Sequence, residues 1–233
     1  MYNYLQWKNP DYWIVGSNQG ITLSGQYLLA KEYLSSHPQA TDIYLILIPN
    51  SFKASYSTQL GYQYAIIPFI QAGVFEELEP ETEELAKNTF GEFFLRKEVV
   101  GLIDYSRLNR KLALNFLEKQ QNPKDNGGEL ISEITLTYLA EIDKMCKTSG
   151  VNFHLIPGPI IDSEDNRNMI VQQCERFKEL GLWELAEEYY RCLAFYPEEN
   201  FFDGVHLGGG EEAIEKIVEE MRKISGKLAD LNV

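Results

Sequence analysis

The chain has 233 residues, 44% of them hydrophobic, which is enough to bury a sizeable core in one large domain. A formal net charge of −14 argues against a nucleic-acid or anionic-membrane partner, because binding to phosphates requires a basic face. The longest apolar run, Ile43 to Pro49, falls far short of the roughly 18 residues of a membrane span and fits a buried strand. No basic segment followed by an apolar one opens the chain, so no signal peptide is expected.

Lys8-Asn9-Pro10-Asp11 is a turn cluster that leads into the apolar run Tyr12 to Val15, a first strand ending at Gly16. The polar turn Gly16-Ser17-Asn18-Gln19-Gly20 follows, at the strand end where open α/β sheets collect ligands. It has neither the spacing of a dinucleotide fingerprint nor the Lys-Ser/Thr of a P-loop, so no nucleotide cofactor is expected. Ser24 to Ser36 has the apolar period of a helix, stopped at Pro38. Asp42 to Phe52 carries Tyr44-Leu45-Ile46-Leu47-Ile48, a near-continuous apolar segment of the kind buried on both faces of a parallel sheet.

Lys53 to Phe75 shows no clean period and predicts loop and short helix over the strand ends. Its Tyr56, Tyr62 and Tyr64 suit either a sugar-stacking surface or ordinary packing. Glu76 to Gln121 predicts helices broken around Thr89 to Gly91, and Asn122 to Gly128 is a loop. The acidic clusters Glu76 to Glu84 and Glu211 to Glu220 read as solvated helix faces. Ser132 to Thr148 predicts a helix with Gly150 as its stop, and Val151 to Pro157 a further buried strand, ended by Pro157-Gly158-Pro159. Two helices, Asp162 to Leu180 and Trp183 to Leu193, flank Gly181. A loop over Asn200 to Leu207, three glycines and a last helix from Glu211 to about Ile224 complete the chain. This alternation points to a three-layer α/β/α sandwich with a mostly parallel central sheet, a single domain over 1–233 with a helical insertion at about 53–130.

Cys146, Cys174 and Cys192 have neither disulfide-framework nor zinc spacing, so no metal site is expected. His154 reads as a sheet residue and His37 as an exposed residue at a helix end. The informative pair is Asp203 and His206. At this spacing the carboxylate can accept the imidazole Nδ1 proton and leave Nε2 free as general base. A capped loop before a helix is the alternative reading of the same residues.

Together, the strand-Gly-Ser-Asn turn and the Asp-x-x-His before the last helix resemble the SGNH, or GDSL-type, hydrolase superfamily. The match covers Asp11 to Pro38, Asp42 to Phe52, Val151 to Asp162 and Asn200 to Ile224. Gly16-Ser17-Asn18 and Phe201-Phe202-Asp203-Gly204-Val205-His206-Leu207 look most like the branch that handles acyl groups on cell-surface polysaccharides and teichoic acids. The resemblance implies a flavodoxin-like strand order and esterase or O-acyltransferase chemistry on acylated carbohydrate or cell-wall polymer. It further implies a membrane-bound acyltransferase as partner and an extracytoplasmic, membrane-associated location. It casts His206 as base, Asp203 as its orienter and Ser17 as nucleophile, with Gly16 and Asn18 at the oxyanion region. The family's own oxyanion blocks, a glycine N–H and the asparagine of a Gly-x-Asn-Asp motif, are not clear here; Asn50, at the end of the second apolar strand, is the best candidate for that donor, and a turn residue after a strand is its alternative reading. The departure is at the serine: laid on the family's Gly-Asp-Ser block, Asn18 stands where the nucleophile belongs, and a carboxamide cannot replace an activated hydroxyl. Either Ser17 supplies the hydroxyl, or the domain is catalytically degenerate and binds glycan or a partner.

Overall fold

The computed structural model describes residues 22–54, 62, 66–105, 111–113, 115, 129–202 and 208. The protein is mixed α/β and divides into two compact units. One comprises Met1–Val15, Tyr44–Pro49 and Phe153–Val233, the other Gly16–Ile43 and Asn50–Asn152.

The second of these units is helical. Helix α1 (Leu23–Ser36) starts at Thr22, whose hydroxyl accepts the Gly25 N–H, and ends at His37 just before Pro38. Strand β1 (Asp42–Leu47) follows, its first residues in this unit. Helix α2 (Ile67–Ala72) takes Pro68 in its first turn and stops at Gly73, which is left-handed at φ +72°. Helix α3 (Pro80–Phe90) buries Thr82, Ala86 and Phe90, one stripe at a spacing of four, and Gly91 breaks it from α4 (Lys97–Tyr105). Helix α5 (Glu133–Ser149) is capped by Ser132 and ends at Gly150 at φ +70°. It packs along α1, with the Tyr27 and Tyr138 rings 5.3 Å apart. The Tyr138 hydroxyl accepts the Glu79 N–H at 3.0 Å.

The other unit holds the rest of β1 and most of strand β2 (Asn152–Pro157). The two strands are hydrogen-bonded neighbours. Flanking bonds from Asn152 N–H to the Thr41 carbonyl and from Gly158 N–H to the Leu47 carbonyl advance in step along both strands, so the pair is parallel. The short strands β3 (Ile160–Ile161) and β4 (Phe195–Tyr196) form a second parallel pair. Between them lie α6 (Glu164–Glu179), capped by Ser163, and α7 (Trp183–Arg191). Helices α6 and α7 pack on one another, turned by Gly181 at φ +70°.

Strand β1 stops at Leu47, one residue before its apolar run Tyr44 to Ile48 ends, because Pro49 has no N–H to give a ladder and residues Pro49–Lys53 wind into a 3-10 turn. Its residues 42–46 are half-buried, not enclosed on both faces. The β3/β4 pair falls where the sequence pattern marked only a strand end and a helix-to-loop junction, since two-residue strands carry no period. The expected first strand at Tyr12 to Val15, the loop Asn122 to Gly128 and the last helix from Glu211 lie outside the described residues.

Candidate functional site

The carboxyl end of β1 is held from three sides within its own unit. The Leu47 carbonyl accepts the Gly158 N–H at 2.6 Å and the Tyr189 hydroxyl at 3.0 Å. Two residues on, the Pro49 carbonyl accepts the Gln173 side-chain amide at 3.0 Å, and the Tyr190 hydroxyl donates to the other end of that amide at 3.1 Å. Gln173 and Tyr189 are buried. Buried polar groups are costly unless paired, so these bonds specify where the strand end sits. Burial also pushes the Tyr189 and Tyr190 hydroxyls well above the ordinary tyrosine range, which keeps both as donors.

Gly158 packs against this end with no room to spare. A Cβ there would lie 2.8 Å from Ile48 Cγ2 and 3.5 Å from the Leu47 carbonyl oxygen. The sequence Pro157-Gly158-Pro159 therefore shapes the wall beside β1 by close backbone approach. No other described glycine in this unit faces so tight a contact.

Asn50 is the one expected site residue within the described set. It is exposed, in the 3-10 turn Pro49–Lys53 just beyond the carboxyl end of β1. That turn is closed by the Ala54 N–H donating to the Ser51 carbonyl at 3.1 Å. Gly16, Ser17, Asn18, Asp203 and His206 lie outside the described residues. The ends of the stretch bearing Asp203 and His206 are described, however: the Gly208 N–H donates to the Asn200 carbonyl at 2.7 Å. Phe201 just inside that closure is buried, while Phe202 is largely exposed.

The other sequence candidates resolve into packing. His154 stacks on Tyr44 of the neighbouring strand, with ring centroids 4.6 Å apart. His37 is half-buried at the α1 C-terminus, stacked on Tyr33 with its Nδ1 3.1 Å from the Tyr33 carbonyl; it is less exposed than expected because the ring folds back along its own helix. Tyr62 is fully buried and donates to the Phe94 carbonyl at 3.0 Å, which removes it from any sugar-stacking surface; Tyr56 and Tyr64 lie outside the described residues. Burial pushes the Cys146 thiol up to about 11. Among the described residues, no group of three or more His, Cys, Asp or Glu side chains gathers to hold a metal ion, and no helix is long and apolar enough to cross a membrane.

Gln173, Tyr189 and Tyr190 were not singled out by sequence reasoning. A signal existed for Gln173: it occupies the middle of the stripe Met169, Gln173, Phe177, where spacing alone calls for an apolar side chain. No family model, curated protein or solved structure matches this chain.

Proposed function

We propose that this chain is an SGNH-like esterase or O-acyltransferase domain acting on acylated carbohydrate or cell-surface polymer, with the three-layer sandwich and flavodoxin-like strand order of that superfamily. The carrying observation is the pairing in one sequence of Gly16-Ser17-Asn18 after an apolar run with Asp203-x-x-His206 near the C-terminal end. The parallel β1/β2 pair and the position of Asn50 just past β1 support it, because chemistry in such folds gathers at the carboxyl ends of strands.

In this reading the Ser17 hydroxyl attacks the acyl carbonyl while His206 Nε2 takes its proton, and Asp203 holds the imidazole by its Nδ1 proton. The carbonyl oxygen becomes an oxyanion that Asn50 and Asn18 stabilise by side-chain N–H donation, with Gly16 shaping the turn. Collapse expels the sugar hydroxyl, which leaves with the proton from His206, and forms an acyl-enzyme. Water or an acceptor hydroxyl, deprotonated by His206, then takes the acyl group and frees Ser17. In a transferase, a membrane-bound acyltransferase is the fitting partner.

Asn18 at the serine position favours a second reading, a catalytically degenerate SGNH-like domain that binds glycan or a partner in surface-polymer assembly. Turnover of p-nitrophenyl acetate by the wild type, Ser17→Ala, His206→Ala and Asn18→Ser separates the two. Activity lost in both alanine variants supports Ser17 as nucleophile. Activity that appears only in Asn18→Ser identifies a degenerate site, and no activity in any variant rejects the esterase reading.

A further inference from the structure

Gln173 lies in the centre of the buried stripe of α6 and is fully enclosed, yet both ends of its amide are used. Its Nε2 donates to the Pro49 carbonyl at 3.0 Å, and its Oε1 accepts from Tyr190 at 3.1 Å. Pro49 offers only an acceptor, which dictates which way the amide points. An apolar side chain of the same volume would fill this place without the desolvation cost of a buried amide. What the amide adds is a fixed distance to one carbonyl.

That carbonyl belongs to the peptide linking Pro49 to Asn50, and the six atoms of a peptide unit are coplanar. Holding the oxygen therefore sets the plane from which Asn50 departs and the orientation of the 3-10 turn that carries it. Tyr190 is itself braced, with its ring edge-on to Phe177 and Tyr189 at centroid distances of 5.8 and 5.0 Å. The relay thus runs from an aromatic cluster through one amide to a single peptide plane.

We propose that Gln173 is a positioning residue for Asn50, fixing through the Pro49 carbonyl the turn that presents the Asn50 amide at the carboxyl end of β1. The catalytic meaning of this rests on the reading of Asn50 as an oxyanion donor; the geometric claim does not. Tyr189, which holds the Leu47 carbonyl instead, is the reference for a purely structural loss.

The test is hydrogen exchange at the Ala54 amide, which closes the turn, together with the side-chain amide resonance of Asn50, in Gln173→Met and Tyr189→Phe. In folded Gln173→Met, exchange at Ala54 should accelerate about tenfold relative to the core amides of β2, the change expected for loss of one hydrogen bond. The Asn50 resonance should shift, and Tyr189→Phe should do neither. Tyr190→Phe keeps the core amide, should accelerate the same exchange by a smaller factor, and decides the matter if Gln173→Met does not fold. Equal effects in the Gln173 or Tyr190 variants and in Tyr189→Phe, or none at Ala54, overturn the proposal. If the wild type hydrolyses p-nitrophenyl acetate, Gln173→Met should lower kcat with KM little changed. A wild type without turnover rejects the esterase reading, while the exchange ratios still decide the positioning claim.

Discussion

The Tyr189 hydroxyl donates to the Leu47 carbonyl at 3.0 Å, across 142 residues of sequence, at the point where β1 ends. Leu47 is the last residue of the strand, and its carbonyl also accepts the Gly158 N–H from the end of β2. Both lone pairs of one oxygen are thus used to tie α7 and the β2 terminus to the same peptide. Tyr189→Phe removes one bond and leaves the ring in place. Because the carbonyl keeps its second donor, the expected loss is about 1–1.5 kcal/mol of unfolding free energy, read as a lower urea midpoint at unchanged slope.

Gly158→Ala tests the close approach on the other side of that oxygen. The added methyl would meet Ile48 Cγ2 at 2.8 Å, on a β-branched side chain with little freedom to turn away. A loss of about 1–3 kcal/mol is expected from overpacking. A variant as stable as the wild type would show that β1 can move away from the Pro157-Gly158-Pro159 corner.

In the helical unit, the Ser132 hydroxyl makes two bonds within the first turn of α5 and one to a residue 78 positions away. Its Oγ accepts the Thr135 N–H at 3.1 Å and contacts Thr135 Oγ1 at 2.9 Å and the Ala54 carbonyl at 3.0 Å. Ser132→Ala strips the cap from α5 and should cost about 1–2 kcal/mol. Ser132→Thr should restore most of it, and thermal melts of the pair check this.

Cys146 is buried on the inward face of α5, and desolvation, with a smaller contribution from Asp143, raises its pKa from 9.0 to about 11. A raised folded pKa means that the thiolate disfavours folding. The thiol's contribution is therefore fully present below about pH 9 and is lost as pH rises through about 11. Urea midpoints should fall more steeply over that window in the wild type than in Cys146→Ala. At pH 8, iodoacetamide should modify Cys146 only after denaturation; labelling in the native state would show that α5 opens locally.

If Asn50 supplies an oxyanion donor, Asn50→Ala should reduce kcat for an ester substrate by about 10²–10³-fold with little change in KM, since the bond forms in the transition state. An unchanged kcat in a wild type that is active would remove Asn50 from the site.

What the sequence by itself determined is local. Gly91, Gly150 and Gly181 mark helix ends, each with a positive φ, and Ser132 marks a helix start, because caps and left-handed turns depend on a few adjacent residues. The stripes of α3 and α5 follow from the same short-range period. The chemistry-bearing motifs, Gly16-Ser17-Asn18 and Asp203-x-x-His206, are likewise sequence features, and Asn50 could be placed at a strand end from the apolar run before it. Tertiary structure alone decided that Gln173 serves a carbonyl 124 residues away, that Tyr189 closes on Leu47, and that Ile160–Ile161 pairs with Phe195–Tyr196. The physical reason is that a buried hydrogen bond takes its partner from the chain topology, and neither the spacing of a glutamine in a helix nor the composition of a two-residue strand encodes which distant peptide it will meet.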